Sequence, residues 1–183
     1  MIELTVPQLE RLERQLRDVP RQVPIVTARA INRSAEQART QAGRSARESY
    51  HVKHKAILKT IKIRKAFPSD LTANIKSKGS TLELMKFKVR AHKPLPTRGK
   101  YTVVSVKKSS KKTIKGSFVA TMKNGHTNVF TRVNKARKPI RGHYGPSIPQ
   151  MLGNDNVTRA IEDKAMQVLD TRLEHEMSRI LGR

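Results

Sequence analysis

Cysteine does not occur anywhere in the 183 residues. Disulfides, thiolate zinc sites and cysteine nucleophiles are therefore excluded, and a reducing folding environment is compatible with the chain. Tryptophan is also absent, and aromatic residues make up only 4%. The core must then come from Leu, Ile, Val, Ala and Met, which bury less area per residue. Apolar runs are short, so neither a signal peptide nor a membrane span is expected. Carboxylates are scarcest in the centre, where no Asp or Glu stands between Leu84 and Asn154. A nuclease or phosphotransferase holds magnesium with carboxylates or uses one as general base, so this region cannot build such a site alone. A glycine-rich phosphate loop is missing too. The chain reads as non-enzymatic, with no cofactor and no metal.

What the sequence has in excess is positive charge. The formal net charge is +25, and residues 51–150 hold 25 Lys and Arg against Asp70 and Glu83 alone. Residues 1–50 come to +3 and residues 151–183 to −1. A middle this basic cannot neutralise itself internally and is expected to seek a polyanion. A solubilising face, or an acidic protein partner, is the alternative use of the same charge.

The length suits a single domain over residues 1–183, and the patterning predicts an α+β fold. That fold is mainly antiparallel sheet with hairpins, packed by a long N-terminal helix and a long C-terminal helix. Residues 1–66 are expected to be mostly helical, 67–150 to form the basic β region and 155–181 the terminal helix. Thr5 caps a short helix with Leu9, Leu12 and Leu16 on one stripe, ended by Pro20. A long helix over residues 25–50 carries Ala28, Ala30, Ala35, Ala38, Ala42 and Ala46. So many small side chains suit close helix packing, on the sheet or on the same helix of another subunit, or else a plain solvated helix.

Residues 56–66 read as a helical turn followed by a strand with Ile61 and Ile63 on one side. Residues 71–77 and 82–91 read as two strands joined across residues 78–81, the second with Met85, Phe87, Val89 and Ala91 inward and Lys86, Lys88 and Arg90 outward. Pro94 and Pro96 close it. A strand over residues 101–107 leads into a segment with five Lys and two Ser in residues 107–116. It reads as a mobile surface loop, either a solvated tip or a reach toward backbone phosphates, and without aromatics it has no base-stacking platform.

Asn124-Gly125 lies between two β-prone runs, 118–123 and 126–132, and as a type I′ turn it would set Met122 opposite Thr127, Ala120 opposite Val129 and Phe118 opposite Thr131. Phe118, Ala120, Met122 and Val129 would then share the core face, with Val119 and Phe130 paired on the other. Residues 129–133 pair again with 137–141 across residues 134–136. Two prolines, Pro146 and Pro149, make residues 144–149 extended. Asp155 or Asn156 caps the last helix. Its stripe runs Val157, Ile161, Ala165, Val168, Leu169, Leu173, Met177 and Ile180, and Glu162, Asp163, Asp170, Glu174 and Glu176 face outward.

Histidines offer little chemistry. His51 and His54 stand at metal-ligand spacing, but no carboxylate is near in sequence to complete the site. His126 and His143 read as turn and loop residues, since no positioned acid/base partner is legible.

Three blocks of residues carry a family resemblance. The first is Ala28-Arg-Ala-Ile-Asn-Arg with Ile61-Lys-Ile-Arg-Lys-Ala, and the second is Leu71-Thr-Ala-Asn-Ile with Phe87-Lys-Val-Arg. The third is Gly116-Ser-Phe-Val-Ala-Thr-Met-Lys-Asn-Gly-His with Val129-Phe-Thr-Arg, Pro139-Ile and Tyr144-Gly-Pro-Ser-Ile-Pro-Gln. In this order and spacing the chain resembles the prophage minor tail protein Z family, the tail-completion proteins of long-tailed bacteriophages. The third block marks Phe118, Asn124, Gly125, Phe130, Arg132, Pro139, Tyr144, Pro146 and Pro149 as structural motif residues.

The resemblance implies a virion protein assembled in the host cytoplasm and added at the head-proximal end of the tail, enabling head–tail joining. It also implies a homo-oligomeric ring, commonly of six copies, around the DNA channel. The implied partners are other copies of the chain, tail terminator and tail tube proteins, head–tail connector proteins and genomic DNA held without sequence preference, with no membrane. Lys107, Lys108, Lys111, Lys112 and Lys115 are then the first candidates to face DNA, and Lys86, Lys88 and Arg90 the second. The alternative is a soluble, non-enzymatic nucleic-acid-binding protein acting alone, which lacks support from any recognition-helix, aromatic or zinc framework.

Overall fold

The computed structural model describes residues 20–90 and 102–180. The helix expected after Thr5 lies outside the described residues, as do Ala91, Pro94, Pro96 and Tyr101. The fold is α+β, with two long helices and antiparallel sheets. No helix among the described residues is long and apolar enough to cross a membrane.

Helix α1, Val23–Ser49, follows a 3-10 turn at Pro20–Gln22. Pro24 sits in its first turn, where the lost N–H has no intrahelical partner to miss. At the far end Tyr50 turns to extended backbone, φ −124° and ψ 150°, while its N–H still reaches the Ala46 carbonyl at 2.9 Å. A short helix α2, His54–Thr60, feeds directly into strand β1, Ile61–Arg64. The last helix, α4 (Asp155–Ile180), returns antiparallel along the first half of α1, where the Ser34 hydroxyl donates to the Ala165 carbonyl at 2.5 Å. Arg29 meets Glu176 further along at 3.6 Å. A side-chain-to-backbone bond this short requires the helices to lie close, and the alanines permit it. All six alanines named above are buried.

That decides what the alanine face is for. It packs within the chain, with Val26, Ile31 and Ala35 against Leu169, Leu173 and Met177 in one core cluster. The second half of α1, from Ala42 to Tyr50, enters another cluster with Ile57, Val89, Val104, Val119, Val129 and Met151. Most of the predicted α4 stripe is buried, while Ile161, Val168 and Ile180 are partly so. Glu176 departs from its expected outward place: it turns back onto α1 and pairs with Arg29 and Arg179.

The sheets are small. Strand β1 pairs with β2 (Asn74–Ser77), so residues 71–77 and 82–91 do not form a hairpin with each other. Strand β3 (Thr81–Glu83) pairs instead with β10 (Tyr144–Ser147). The expected long strand over residues 82–91 is broken by a 3-10 turn at Leu84–Lys86 before β4, Lys88–Arg90. The turn exists because it drives Leu84 into the core, where its N–H is met by the Asn128 side chain at 3.2 Å. Beyond it the alternation holds, with Phe87 and Val89 buried and Lys86, Lys88 and Arg90 exposed.

Strand β4 pairs with β5 (Thr102–Ser105), and β5 with β6, Lys112–Ile114. Part of the lysine-rich segment is thus a hairpin strand rather than a free loop. Its turn is tied down by the Ser105 hydroxyl, 2.9 Å from the carbonyls of Lys107 and Ser110. Two backbone bonds, His51 N–H to Val106 and Lys108 N–H to Ser49, both 2.9 Å, dock the segment on the end of α1.

Strands β7 (Ser117–Thr121), β8 (Thr127–Arg132) and β9 (Ile140–Gly142) form the last sheet. Its register is one residue away from the type I′ expectation: Val119 faces Val129, Phe118 faces Phe130 and Ala120 faces Asn128. Within this loop only Gly125 has positive φ, at 78°, and Asn124 does not. With Gly125 N–H bonded to Met122 at 2.9 Å and Met122 N–H to His126 at 2.8 Å, the loop has three residues, a type I turn closed by a left-handed glycine. One added loop residue exchanges the faces. The core face carries Val119 and Val129, and the Phe118 and Phe130 rings pair on the other side, 6.4 Å apart.

Residues 144–149 are extended only to Ser147. There a capping box between Ser147 and Gln150 starts a short helix α3, Ile148–Leu152, with Pro149 in its first turn.

Candidate nucleic-acid interface

The two carboxylates of the basic middle are both engaged. Asp70 receives Arg64 at 3.0 Å and the Thr72 hydroxyl. Glu83 lies 3.3 Å from His126 Nδ1. His126 therefore has the acidic partner that sequence spacing concealed, because β3 and the β7–β8 hairpin meet only in the fold. His143 is held elsewhere, its Nε2 3.0 Å from the Thr131 hydroxyl. Among the described residues no group of three or more His, Asp or Glu is arranged to hold a metal ion.

Of the remaining cations Lys65 meets Glu36 at 3.7 Å, while the candidates named from sequence stand open. Lys86, Lys88, Arg90, Lys107, Lys108, Lys111, Lys112 and Lys115 are all exposed. The fold sorts six of them into two places and leaves Arg90 and Lys111 outside both. Lys107, Lys112 and Lys115 edge a groove of about 710 Å³ with an apolar floor that includes Val104, Val106 and Ile114, and Tyr144 and Pro146 form its far wall. Lys107 also lies over the Tyr50 ring, 6.0 Å from its centroid. Lys86, Lys88 and Lys108 gather instead around a second cleft of about 430 Å³ with Arg47, His51 and Lys53. Lys111 is exposed beside β6.

Each wall of the second cleft comes from a different part of the chain. Arg47 stands in the last turn of α1, His51 and Lys53 on the link to α2, Lys86 and Lys88 around the 3-10 turn, and Lys108 on the docked segment. The adjoining hollow adds Arg44, His54 and Glu48. Among the described residues none of Arg44, Arg47, Lys53, Lys86, Lys88 or Lys108 makes an ion pair. Partial burial, and then Lys88 and Lys108, hold the His51 pKa below the ordinary imidazole value. Uncompensated positive charge is therefore concentrated here. Arg47 and Lys53 escaped the sequence reading, and His51 was weighed there only as a metal ligand, because nothing in their spacing announces that the lysine-rich segment docks beside them.

The motif residues hold the β7–β10 region together. Arg132 stacks its guanidinium 5.5 Å from the Phe118 ring, and Phe130 is buried. Pro139 follows a cis peptide, and Tyr144 is 56% exposed. Asn128, absent from any motif reading, is fully buried and bonds Leu84, Val129 and His143.

Compared with known families, the chain matches the family model described as prophage minor tail protein Z over residues 3–183. No curated protein and no solved structure gives a significant match.

Proposed function

The chain belongs to the prophage minor tail protein Z family, and from that premise we propose that this structural tail protein encircles DNA at the head-proximal end of the tail. In this reading several copies, six by the family resemblance, form a ring that joins the tail terminator and tail tube below to the head–tail connector above. The exposed cations line the bore and hold the genome by its phosphates, without reading sequence. Its partners are further copies of the chain, the neighbouring tail and connector proteins, and DNA.

One observation carries the reading: the basic middle presents eight exposed Lys and Arg candidates while its only two carboxylates are tied to Arg64 and His126. Each exposed contact contributes about 1 kcal/mol or less. A ring repeats every contact by its copy number, so weak contacts sum to a salt-sensitive hold. Electron microscopy of tails with the chain labelled is expected to show density at the end that meets the head. Label at the distal tip or along the tube would overturn the placement.

A further inference from the structure

We propose that the cleft between the end of α1 and the turn before β4 is the principal phosphate-recognising site of this chain, and that a DNA phosphate bound there leads His51 to take up a proton from solvent. The inference rests on the DNA-binding reading above but goes beyond it. It concentrates binding in one place and couples it to pH.

The geometry favours this cleft over the other lysines. Arg47, Lys53, Lys86, Lys88 and Lys108 converge on one concavity from four stretches of chain, and Arg47 adds a planar fork suited to two phosphate oxygens. The backbone bonds from His51 to Val106 and from Lys108 to Ser49 fix the lysine-rich segment against the helix, so these charges meet before any ligand arrives. Glu48, the one acid nearby, lies in the adjoining hollow with Arg44 and His54, a hollow that Arg47 and Lys108 also line. By contrast, Lys107, Lys112 and Lys115 border an apolar groove, and Lys111 lies in neither cleft.

The cleft beside His51 is lined by charge of one sign. Arg47 faces the cleft from α1, Lys53 from the link, Lys86 and Lys88 from the turn and β4, and Lys108 from the docked segment, with the Tyr50 hydroxyl the remaining titratable neighbour. In the free protein partial burial, and then Lys88 and Lys108, favour neutral imidazole. A bound phosphodiester reverses the balance by supplying negative charge and a hydrogen-bond acceptor. Binding then takes up a proton, and affinity rises as pH falls toward the imidazole range.

Two equal-charge variants of the full chain test the site on duplex DNA. The cleft triple K86Q/K88Q/K108Q is expected to weaken binding roughly tenfold and to make the slope of log affinity against log salt shallower by about 2 to 3. The control triple K111Q/K112Q/K115Q should lose clearly less. Wild-type affinity should rise roughly three- to tenfold from pH 7.5 to 5.5, and His51→Gln, which keeps the backbone bond to Val106, should flatten that rise.

Equal losses from the two triples, or a pH response untouched by His51→Gln, would overturn the inference while leaving DNA binding intact. Failure of the wild-type chain to bind DNA at all would remove the DNA reading itself and this site with it. Polyglutamate competing as well as DNA, charge for charge, would overturn the assignment and give the cleft to an acidic protein surface.

Discussion

Gly125 is the residue on which the hairpin register turns. Its φ of 78° lies in the left-handed region, while no non-glycine among the described residues has positive φ, so Asn124 and Gly125 carry different loads. Asn124 contributes a side-chain oxygen to the His126 N–H at 3.1 Å, on an exposed turn. Gly125→Ala is therefore expected to cost about 1–2 kcal/mol of stability, because a Cβ opposes left-handed backbone. Asn124→Ala should cost only about 0.5 kcal/mol, the net value of one exposed bond. Denaturant titration of both variants checks the turn, since a type I′ loop would penalise the two equally. The sequence located this turn correctly. It left the loop length open, because Asn-Gly serves both two- and three-residue hairpins and the choice falls to which side chains the core accepts. Buried Val119 and Val129 made that choice.

At the scale of elements, α1 shows how a weak sequence signal resolves. Small side chains in a helical row announce close approach, and they do not say to what. The answer is α4 of the same chain for Ala28, Ala30 and Ala35, as the Ser34–Ala165 bond shows, and the strand-side cluster for Ala42 and Ala46. Ala35→Leu, at a position with 0% exposure in this seam, is expected to lose about 1–3 kcal/mol by overpacking. Thermal unfolding of dilute protein measures it. A face reserved for another subunit would leave dilute protein unchanged. The lysine-rich segment is the opposite case, legible as charge and misread as loop throughout. Its attachment runs through backbone groups and the Ser105 hydroxyl, and such bonds leave no periodicity in sequence.

For the whole molecule, charge separation is the property that bears on assembly. The basic cleft and groove lie around the β sheets and the C-terminal end of α1, while Glu162 and Asp163 stand exposed on α4. In the proposed ring, the acidic face of one copy would meet the basic face of the next in a heterologous contact that closes on itself. Glu162→Lys with Asp163→Lys is expected to weaken self-association roughly five- to tenfold without unfolding the chain. Sedimentation over a range of concentrations, with circular dichroism as the folding control, reads both outcomes. Unchanged association would leave the ring to other surfaces.

Composition and periodicity by themselves determined the α+β class, both long helices, the outward Lys86, Lys88 and Arg90 and the excess of central charge, because each is a local consequence of side-chain type and spacing. The residue blocks also sufficed to indicate the family. Only the tertiary structure decided the hairpin register, the partner of the alanine face, the engagement of Glu83 by His126, and the meeting of Arg47, Lys53 and Lys108 around His51. Those depend on contacts between residues distant in the chain, chosen by core packing and backbone hydrogen bonding, and sequence spacing carries no record of them.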